Sequence, residues 1–355
     1  MSTEITVVKA TEKKTKPDEN TLGFGKFFTD HMFVMDYEKG KGWHSPRVIP
    51  YEPISLDPAT MVFHYGQTVF EGLKAYSTTD GKTLLFRPEK NFERLNRSCD
   101  RLSIPNIDQE VVLGGLKELV RVDREWIPKA EGTSLYIRPF ILPTETNLRV
   151  APASSYKFVI ILSPVGSYYP EGIHPVSISV EKEYTRAVLG GTGTAKTAGN
   201  YCAGYIAQEK ASQQGAAQVL WLDGVEKKYI EEVGSMNVFF KINGEVVTPI
   251  LNGSILEGIT RMSIIELLKE WNIPVVERKL SLDEFIEAYE NGQVEEVFGT
   301  GTAAVISPVG EFRFKDNQMM INNRETGELS RKLYETITGI QTGRIADPFQ
   351  WTEEV

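Results

Sequence analysis

A stretch rich in chain-breaking residues, Pro164–Gly172, divides this sequence into two parts that each mix strand-like and helix-like patterns. Its prolines and glycines surround paired tyrosines, and such a density of both residue types marks a loop between compact units. At 355 residues, the chain also holds more apolar material than a single core usually takes. We therefore expect two domains that join within this stretch.

The part before the break combines strand and helix signals, which indicates a mixed α+β domain. Its strand-like runs are Thr83–Phe86, Ser134–Leu142 and Lys157–Leu162, and its helical periodicities cover Phe92–Leu102 and Val111–Trp126. The part after the break predicts strands at Val176–Val180 and Gln218–Leu222 and helices at Tyr201–Gln213, Arg261–Trp271, Leu282–Tyr289 and Glu328–Ile337. Within Val238–Val247, Asn243-Gly244 predicts a hairpin, because both positions of a type I′ turn need positive φ.

These signals divide the chain into four predicted segments. Residues 1–20 are polar and lack the apolar stretch of a signal peptide, so we expect a flexible N-terminus. Residues 21–164 form a small α+β domain, 165–175 an interdomain loop, and 176–355 a larger domain. The predicted class is therefore mixed α+β and α/β.

Charge and composition exclude several functions. With 48 acidic and 39 basic residues the net charge is −9, and no basic cluster offers a nucleic-acid footprint. The two cysteines and four histidines show no disulfide or metal-ligand spacing, which predicts no metal site and fits a reducing cytoplasm. No apolar run is long enough to cross a membrane.

The strongest local signal is Gly190–Tyr201, in which Lys196 lies among small residues that let other groups approach it closely. An amine attacks a carbonyl only when neutral, and loss of water favours that form, so Schiff-base lysines occupy shielded sites. The segment taken alone is also compatible with a surface loop that carries a solvated lysine.

A phosphate-binding loop is the sharper alternative, because Gly190–Thr197 matches G-x-x-x-x-G-K-[ST] everywhere except Ala195. Asp223, after an apolar run, even resembles the magnesium-binding aspartate of nucleotide hydrolases. Such a loop should leave a buried strand and enter a helix directly. Here the charged Glu181–Tyr184 precedes it and Gly199-Asn200 interrupts the helix start, which argues against a nucleotide site.

Several separated motifs occur in order along the chain: Phe28–Met32, His64–Gln67 with Phe70–Gly72, Leu135–Pro139, Gly191–Tyr201, Glu232–Asn237 and Gly299–Ala304. On these motifs the chain is identified as a member of the class IV aminotransferases. It resembles the longer, eukaryotic-like branch of the branched-chain aminotransferases. The resemblance implies a two-domain fold-type IV enzyme, similar to D-amino-acid aminotransferase. It also implies pyridoxal 5'-phosphate in the interdomain cleft, held largely by the second domain, and a homodimer whose partner completes the substrate pocket.

The resemblance also implies roles around the cofactor ring. Lys196 would carry the cofactor as a Schiff base and move the proton during catalysis. Glu232 would lie beside the pyridine nitrogen and keep it protonated, and Tyr201 would hydrogen-bond the ring oxygen. Glu231 would exchange roles with Glu232 if the strand register differed by one residue, because neighbours face opposite sides.

For the cofactor phosphate, the family pattern implies Arg94, the backbone N–H groups of Ile259 and Thr260, and the Thr302 hydroxyl. A guanidinium and a helix N-terminus both offer fixed donors to a dianion. Taken alone, Arg94 resembles its neighbours Arg97 and Arg101, which is the pattern of a solvated helix face.

The resemblance implies a substrate pocket that combines aromatic, aliphatic and polar side chains. Its members are Phe28, Tyr65, Phe70, Tyr136, Arg138, Val150 and Tyr168, with the Ser235 hydroxyl and the Thr302–Ala303 backbone against the substrate carboxylate. Arg138 would pair with the second carboxylate of glutamate or 2-oxoglutarate. Each aromatic residue is also compatible with an ordinary place in a core.

The expected reaction is reversible transamination of leucine, isoleucine or valine with 2-oxoglutarate, which gives a branched-chain 2-oxo acid and glutamate. Three alternatives remain: a D-amino-acid aminotransferase, an aminodeoxychorismate lyase, and a non-catalytic scaffold of the same fold. Some relatives carry a Cys-x-x-Cys pair where this chain has Ala304 and Ser307, so no thiol switch is expected there.

Overall fold

The computed structural model describes residues 4–168, 173–314 and 317–355, which fall into two compact units. The first unit comprises Met1–Pro170, Ala195–Ala198 and Gly339–Val355, and the second comprises Glu171–Thr194 and Gly199–Thr338. Each unit contains one sheet flanked by helices, so the predicted mixed fold class is confirmed. Residues 169–172 of the predicted interdomain loop lie outside the described residues.

The strands and helices have the following bounds. The strands are β1 (Thr6–Val7), β2 (His31–Glu38), β3 (Gly42–Pro50), β4 (Val69–Phe70), β5 (Leu73–Ser77), β6 (Thr83–Phe86), β7 (Ser134–Pro143), β8 (Ser155–Val165), β9 (Val176–Val180), β10 (Gln218–Leu222), β11 (Ile230–Val233), β12 (Asn237–Ile242), β13 (Glu245–Pro249), β14 (Val275–Arg278), β15 (Val294–Gly301), β16 (Val305–Phe314), β17 (Asn317–Met320) and β18 (Thr352–Glu354). The helices are α1 (Val62–Tyr65), α2 (Pro88–Leu102), α3 (Gln109–Val122), α4 (Ala198–Cys202), α5 (Tyr205–Gln213), α6 (Ile259–Glu270), α7 (Leu282–Glu290) and α8 (Glu328–Gln341). Short 3₁₀ turns cover Glu19–Thr21, Arg124–Trp126 and Asn322–Arg324.

The sheet of the first unit has the order β1-β3-β2-β8-β7-β5-β6-β18, and β4 pairs with β7. One face packs on α2 and α3 around Phe33, Phe92 and Leu116. Because side chains alternate along a strand, Leu135 and Ile137 enter this core while Tyr136 and Arg138 lie on the other face. The alternation of β7 therefore creates a polar face within an apolar sheet.

Both termini differ from the predicted division. Residues 1–20 were expected to be flexible, but β1 pairs in parallel with β3, and the Ala10 N–H donates to His31 Nε2 at 2.8 Å. The C-terminal segment was expected in the second domain, but β18 pairs antiparallel with β6, so Gly339–Val355 belongs to the first unit. Pairing with distant strands, which local sequence patterns do not reveal, causes both differences. The first unit is consequently the longer of the two.

The sheet of the second unit has the order β11-β10-β9-β16-β15-β12-β13-β14, with β17 on β16. The predicted hairpin is confirmed between β12 and β13, where Asn243 has φ 50° and Gly244 φ 77°. The single helix predicted over Tyr201–Gln213 is wrong: α4 ends at Cys202, and α5 begins after Gly204. Over the described ranges, no helix is both long and apolar enough to span a membrane.

Candidate active site

Backbone contacts fix Lys196 within the first unit. Thr197 forms an antiparallel bridge with Val69, and the Phe70 N–H donates to the Lys196 carbonyl at 3.0 Å. The Lys196 N–H in turn donates to Ser98 Oγ at 2.9 Å. These contacts hold the backbone on both sides of Lys196 against β4 and α2, which limits the directions that the lysine side chain can take.

The Phe70 ring lies close to two cationic side chains, Lys196 and Arg138. Lys196 Nζ lies 4.9 Å from the ring centroid, and Arg138 Cζ lies 4.9 Å from the same centroid. Arg138 Nη2 donates to the Tyr136 hydroxyl at 2.9 Å. Gly72 allows this arrangement, because a Cβ there would lie 2.2 Å from the Tyr136 hydroxyl oxygen. Four residues predicted for the site thus meet on one side of the first sheet.

Glu71, the residue after Phe70, forms a buried ion pair with Arg94. Glu71 is fully buried, and its oxygens accept from Arg94 Nε at 2.7 Å and Nη2 at 2.8 Å. Burial alone would raise the pKa of Glu71, but Arg94, the Lys196 charge and a hydrogen bond from Asn91 together hold it below its usual value. A guanidinium has five N–H donors, so Glu71 engages two of them. The predicted contact between Arg94 and phosphate remains a prediction.

Lys74 is a buried amine that the sequence motifs did not indicate. It pairs in register with Tyr136 across β5 and β7, so both side chains lie on the same face of the sheet. Burial lowers the pKa of the Lys74 ammonium to about 8. A Gly-x-Lys pattern on a short strand carries no local signal for this burial, which depends on the pairing with β7.

The second unit contains a cavity of about 240 Å³. Three predicted residues line it, namely Tyr201, Glu232 and Ser235. Its other lining residues are Arg186, Asn200, Gly204, Tyr205, Gln208, Gln218, Trp221, Gly234 and Leu256. The cavity thus combines a carboxylate, hydroxyl groups and an indole, which suits a polar aromatic ligand.

The strand register resolves the ambiguity between the adjacent glutamates. Glu232 lines the cavity and accepts from the Leu256 N–H at 3.0 Å and from Asn237 Nδ2 at 3.2 Å. Glu231 faces the other way and accepts from Asn252 Nδ2 at 3.1 Å and from the Ser254 hydroxyl. Both are 3% exposed, so burial does not distinguish them, but position does. The structure favours Glu232 as the cavity carboxylate.

Arg186 is a further cavity residue that the sequence motifs did not indicate. Its Nε lies 2.8 Å from Glu232 Oε2. The sequence analysis assigned no role to Arg186, which lies just beyond the charged segment Glu181–Tyr184.

The candidate phosphate groups of the second unit lie at a helix start and in a turn. Ile259 and Thr260 are the first two residues of α6, whose first N–H groups have no partner within the helix. Thr302 and Ala303 lie in the turn between β15 and β16. This turn ends at Val305, a β-branched residue with φ 61°, which is a strained conformation of the kind that collects at functional sites.

Four further predicted residues, Phe28, Tyr65, Val150 and Tyr168, belong to the first unit. Phe28 stacks on Tyr51 with ring centroids 5.4 Å apart. Tyr65, Tyr168 and Val150 are 43%, 47% and 87% exposed, so they do not form a closed pocket by themselves. Their predicted place in the substrate pocket remains a prediction.

Comparison with known proteins supports one family. The family model described as amino-transferase class IV matches residues 68–312. The chain is 67% identical over 351 residues to branched-chain-amino-acid aminotransferase 2 of Bacillus subtilis (strain 168), covering 99% of this chain and 97% of the relative. The region matched by the family model contains Lys196, Tyr201 and Glu232.

Solved structures similar to this chain belong to branched-chain amino acid aminotransferases. The branched-chain amino acid aminotransferase of Escherichia coli has a TM-score of 0.74 at 25% identity, covering 91% of this chain and 98% of that one. The T.th. enzyme, complexed with N-(5'-phosphopyridoxyl)-L-glutamate, has a TM-score of 0.72 at 26% identity, covering 90% and 97%. The lysine segment, the cavity carboxylate and these matches lead to one conclusion: the chain belongs to the class IV aminotransferases.

Proposed function

We propose that this chain is a pyridoxal-phosphate-dependent branched-chain-amino-acid aminotransferase. It transfers the amino group of leucine, isoleucine or valine reversibly to 2-oxoglutarate, which gives the branched-chain 2-oxo acid and glutamate. The observation that carries the proposal is the buried Glu232 carboxylate, which shares a cavity with Tyr201, five residues beyond Lys196. The 67% identity to a branched-chain-amino-acid aminotransferase of Bacillus subtilis supports the substrate class.

The residues of the second unit suit pyridoxal phosphate. Glu232 offers an anion to a ring nitrogen, Tyr201 offers a hydroxyl to a ring oxygen, and the start of α6 offers N–H groups to a phosphate. The cofactor–glutamate adduct bound by the T.th. enzyme supports the same cofactor. When bound, pyridoxal phosphate supplies the aldehyde that takes up the amino group and the ring that withdraws electrons from the substrate Cα.

Each residue then has a defined task. Lys196 Nζ would hold the cofactor and move the substrate proton, beside the apolar ring of Phe70, which excludes water from one side of the amine. Glu232 would keep a negative charge in the cavity, and Tyr201 would orient the cofactor ring. Arg94, the Ile259 and Thr260 N–H groups and the Thr302 hydroxyl would hold the phosphate.

The first unit offers a means of accepting two kinds of substrate. Phe70 and Tyr136 provide apolar surface for a branched side chain, and Arg138 provides charge for the second carboxylate of 2-oxoglutarate. Arg138 Nε is buried and has no hydrogen-bond acceptor among the described residues, so a donor remains for that carboxylate. Ser235 and Ala303 would hold the carboxylate that both substrates share.

We also propose that the active form is a homodimer. An apolar surface, composed of Phe63, Tyr65, Leu148 and Val150, is exposed in the first unit at 62%, 43%, 63% and 87%. The Tyr65 hydroxyl donates to the Leu148 carbonyl, which connects the helix and loop parts of this surface. Apolar side chains grouped in this way favour burial against another protein. A second copy would place Val150 and Tyr168 where a complete pocket requires them.

A cytoplasmic location completes the proposal. Cys99 and Cys202 are both free, which suits a reducing compartment.

The visible absorption spectrum of the purified protein tests the function. We expect a band from bound cofactor that disappears with L-leucine and returns with 2-oxoglutarate, and that Lys196→Ala abolishes the exchange. A response to D-amino acids alone would indicate a D-amino-acid aminotransferase. Bound cofactor without amino transfer would indicate the lyase, and no bound cofactor at saturation would indicate a scaffold.

A further inference from the structure

Arg186 contacts three separate parts of the second unit. Its side chain is 10% exposed, and its Nε lies 2.8 Å from Glu232 Oε2. Its Nη2 donates to the Ser254 carbonyl and lies 3.5 Å from the Gly193 carbonyl. The guanidinium therefore connects the cavity carboxylate with the turn before α6 and with the glycine-rich loop.

The Glu232 carboxylate is held from both ends. Oε1 accepts from the Leu256 N–H and from Asn237 Nδ2, while Oε2 faces Arg186. The contact of Arg186 Nε with Oε2 is an ion pair and not a hydrogen bond, because this N–H is not aligned with an acceptor among the described residues. Backbone and amide donors fix the orientation of the carboxylate, and the guanidinium supplies the positive charge that stabilises its anionic form in a buried site.

A purely structural role for Arg186 would use the other contacts. A Cβ on Gly193 would lie 2.1 Å from the Ser254 carbonyl oxygen, so the loop and the turn meet closely where Nη2 donates. If Arg186 only joined the backbone of the glycine-rich loop to that of the turn before α6, its effect would not depend on Glu232. The two roles therefore predict different coupling between Arg186 and Glu232.

We propose that Arg186 is a positioning residue for amino transfer: it keeps Glu232 ionised and oriented toward the cavity, and it acts on the cofactor only through that carboxylate. This inference rests on the proposed function, because it needs a ring nitrogen opposite Glu232. Without Arg186, the buried carboxylate loses its countercharge and becomes a poorer partner for a protonated ring. Removal of Arg186 should then have no further effect on cofactor binding in a variant whose residue 232 can no longer carry a charge.

A double-mutant cycle on cofactor affinity tests this coupling. Arg186→Gln, Glu232→Gln and the double variant are prepared as full-length proteins, and pyridoxal phosphate is titrated without substrate. Tryptophan fluorescence reports binding, since Trp221 lines the cavity. We expect Arg186→Gln to weaken binding about tenfold, and the double variant to stay within about twofold of Glu232→Gln alone. The bound-cofactor absorption maximum should shift in the same direction in both single variants.

Two further variants complete the test. Arg313→Gln removes an arginine of the same unit whose Nε lies 2.6 Å from Glu311 Oε1, outside the cavity, and it should leave the affinity unchanged. If Arg186→Gln melts before binding is measured, Arg186→Lys, which keeps the charge but loses the fork, should bind with an affinity between those of the parent and Glu232→Gln.

Two outcomes would overturn the role of Arg186 while leaving the proposed function intact. One is that the losses of cofactor affinity add in the double variant, and the other is that Arg186→Gln binds the cofactor as tightly as the parent. A parent protein that binds no pyridoxal phosphate would overturn both.

Discussion

Glu71 and Arg94 form a paired ion contact in which each carboxylate oxygen accepts from a different guanidinium nitrogen, Nε at 2.7 Å and Nη2 at 2.8 Å. Glu71 is fully buried and Arg94 is 4% exposed. Glu71 also follows Phe70, whose ring lies against Lys196. The ion pair therefore ties the segment that follows β4 to helix α2.

Removing one partner of this pair should destabilise the first unit strongly. Arg94→Met leaves a buried charge without compensation, which costs about 3–5 kcal/mol. The parent's stabilisation is present at neutral pH and is lost as the pH falls through the lowered pKa of Glu71, because a depressed carboxyl pKa favours the ionised folded state. Urea unfolding at neutral and acidic pH measures both effects.

The control for this prediction is Glu93→Gln on the same helix. Glu93 pairs with Lys90 at 2.9 Å, but both side chains are about one-third exposed. Its loss should change the unfolding free energy by less than about 1 kcal/mol. Equal losses of unfolding free energy in Arg94→Met and Glu93→Gln would contradict a special role for the burial of the Glu71–Arg94 pair.

Lys74→Met should stabilise the protein at neutral pH. The pKa of Lys74 is about 8 in the fold against 10.5 when unfolded, so folding carries a penalty wherever the unfolded lysine is charged. This penalty is complete below pH 8 and disappears as the pH rises toward 10.5. The gain from the substitution is up to about 3 kcal/mol at pH 7 and should shrink across that window. Thermal melting at pH 7 and pH 10 measures it, and a pH-independent difference would disprove the assignment.

The sequence predicted elements whose signals are local and missed those that depend on distant pairing. β9 and the Asn243-Gly244 hairpin are found where they were expected, because strand alternation and turn chemistry act over a few residues. β1 and β18 were missed, because they exist only by pairing with β3 and β6. The helix over Tyr201–Gln213 was predicted too long, because the break at Gly204 was not recognised.

The candidate site shows the same difference between residues that local motifs indicate and residues that depend on distant partners. Lys196, Tyr201 and Glu232 were indicated by motif resemblance, and the structure adds the geometry that separates Glu232 from Glu231. Lys74 and Arg186 carry no local signal. Each matters because of a partner far along the chain, Tyr136 for Lys74 and Glu232 for Arg186.

The two cysteines should differ in reactivity. Burial and the charge of Asp100 raise the pKa of the Cys99 thiol to about 12, and Cys99 is fully buried. Cys202 is exposed at the end of α4. Because the thiolate is the reactive form, a thiol reagent should modify one cysteine in the native protein and both after unfolding. Cys202→Ser should abolish the native reaction, whereas Cys99→Ser should leave it intact; the opposite pattern would contradict the burial of Cys99.

Val150→Asp should dissociate the proposed homodimer. Val150 is 87% exposed in one chain, and a charge at this position would have to lose its water on burial against a second copy. We expect subunit association to weaken by about a hundredfold or more, which corresponds to about 3 kcal/mol. Light scattering on a sizing column measures the mass, with Val225→Asp as control, since Val225 is 75% exposed in the second unit and outside the defined apolar surface. A Val150→Asp protein with the mass of the parent, or equal dissociation by Val225→Asp, would show that this surface does not join two copies.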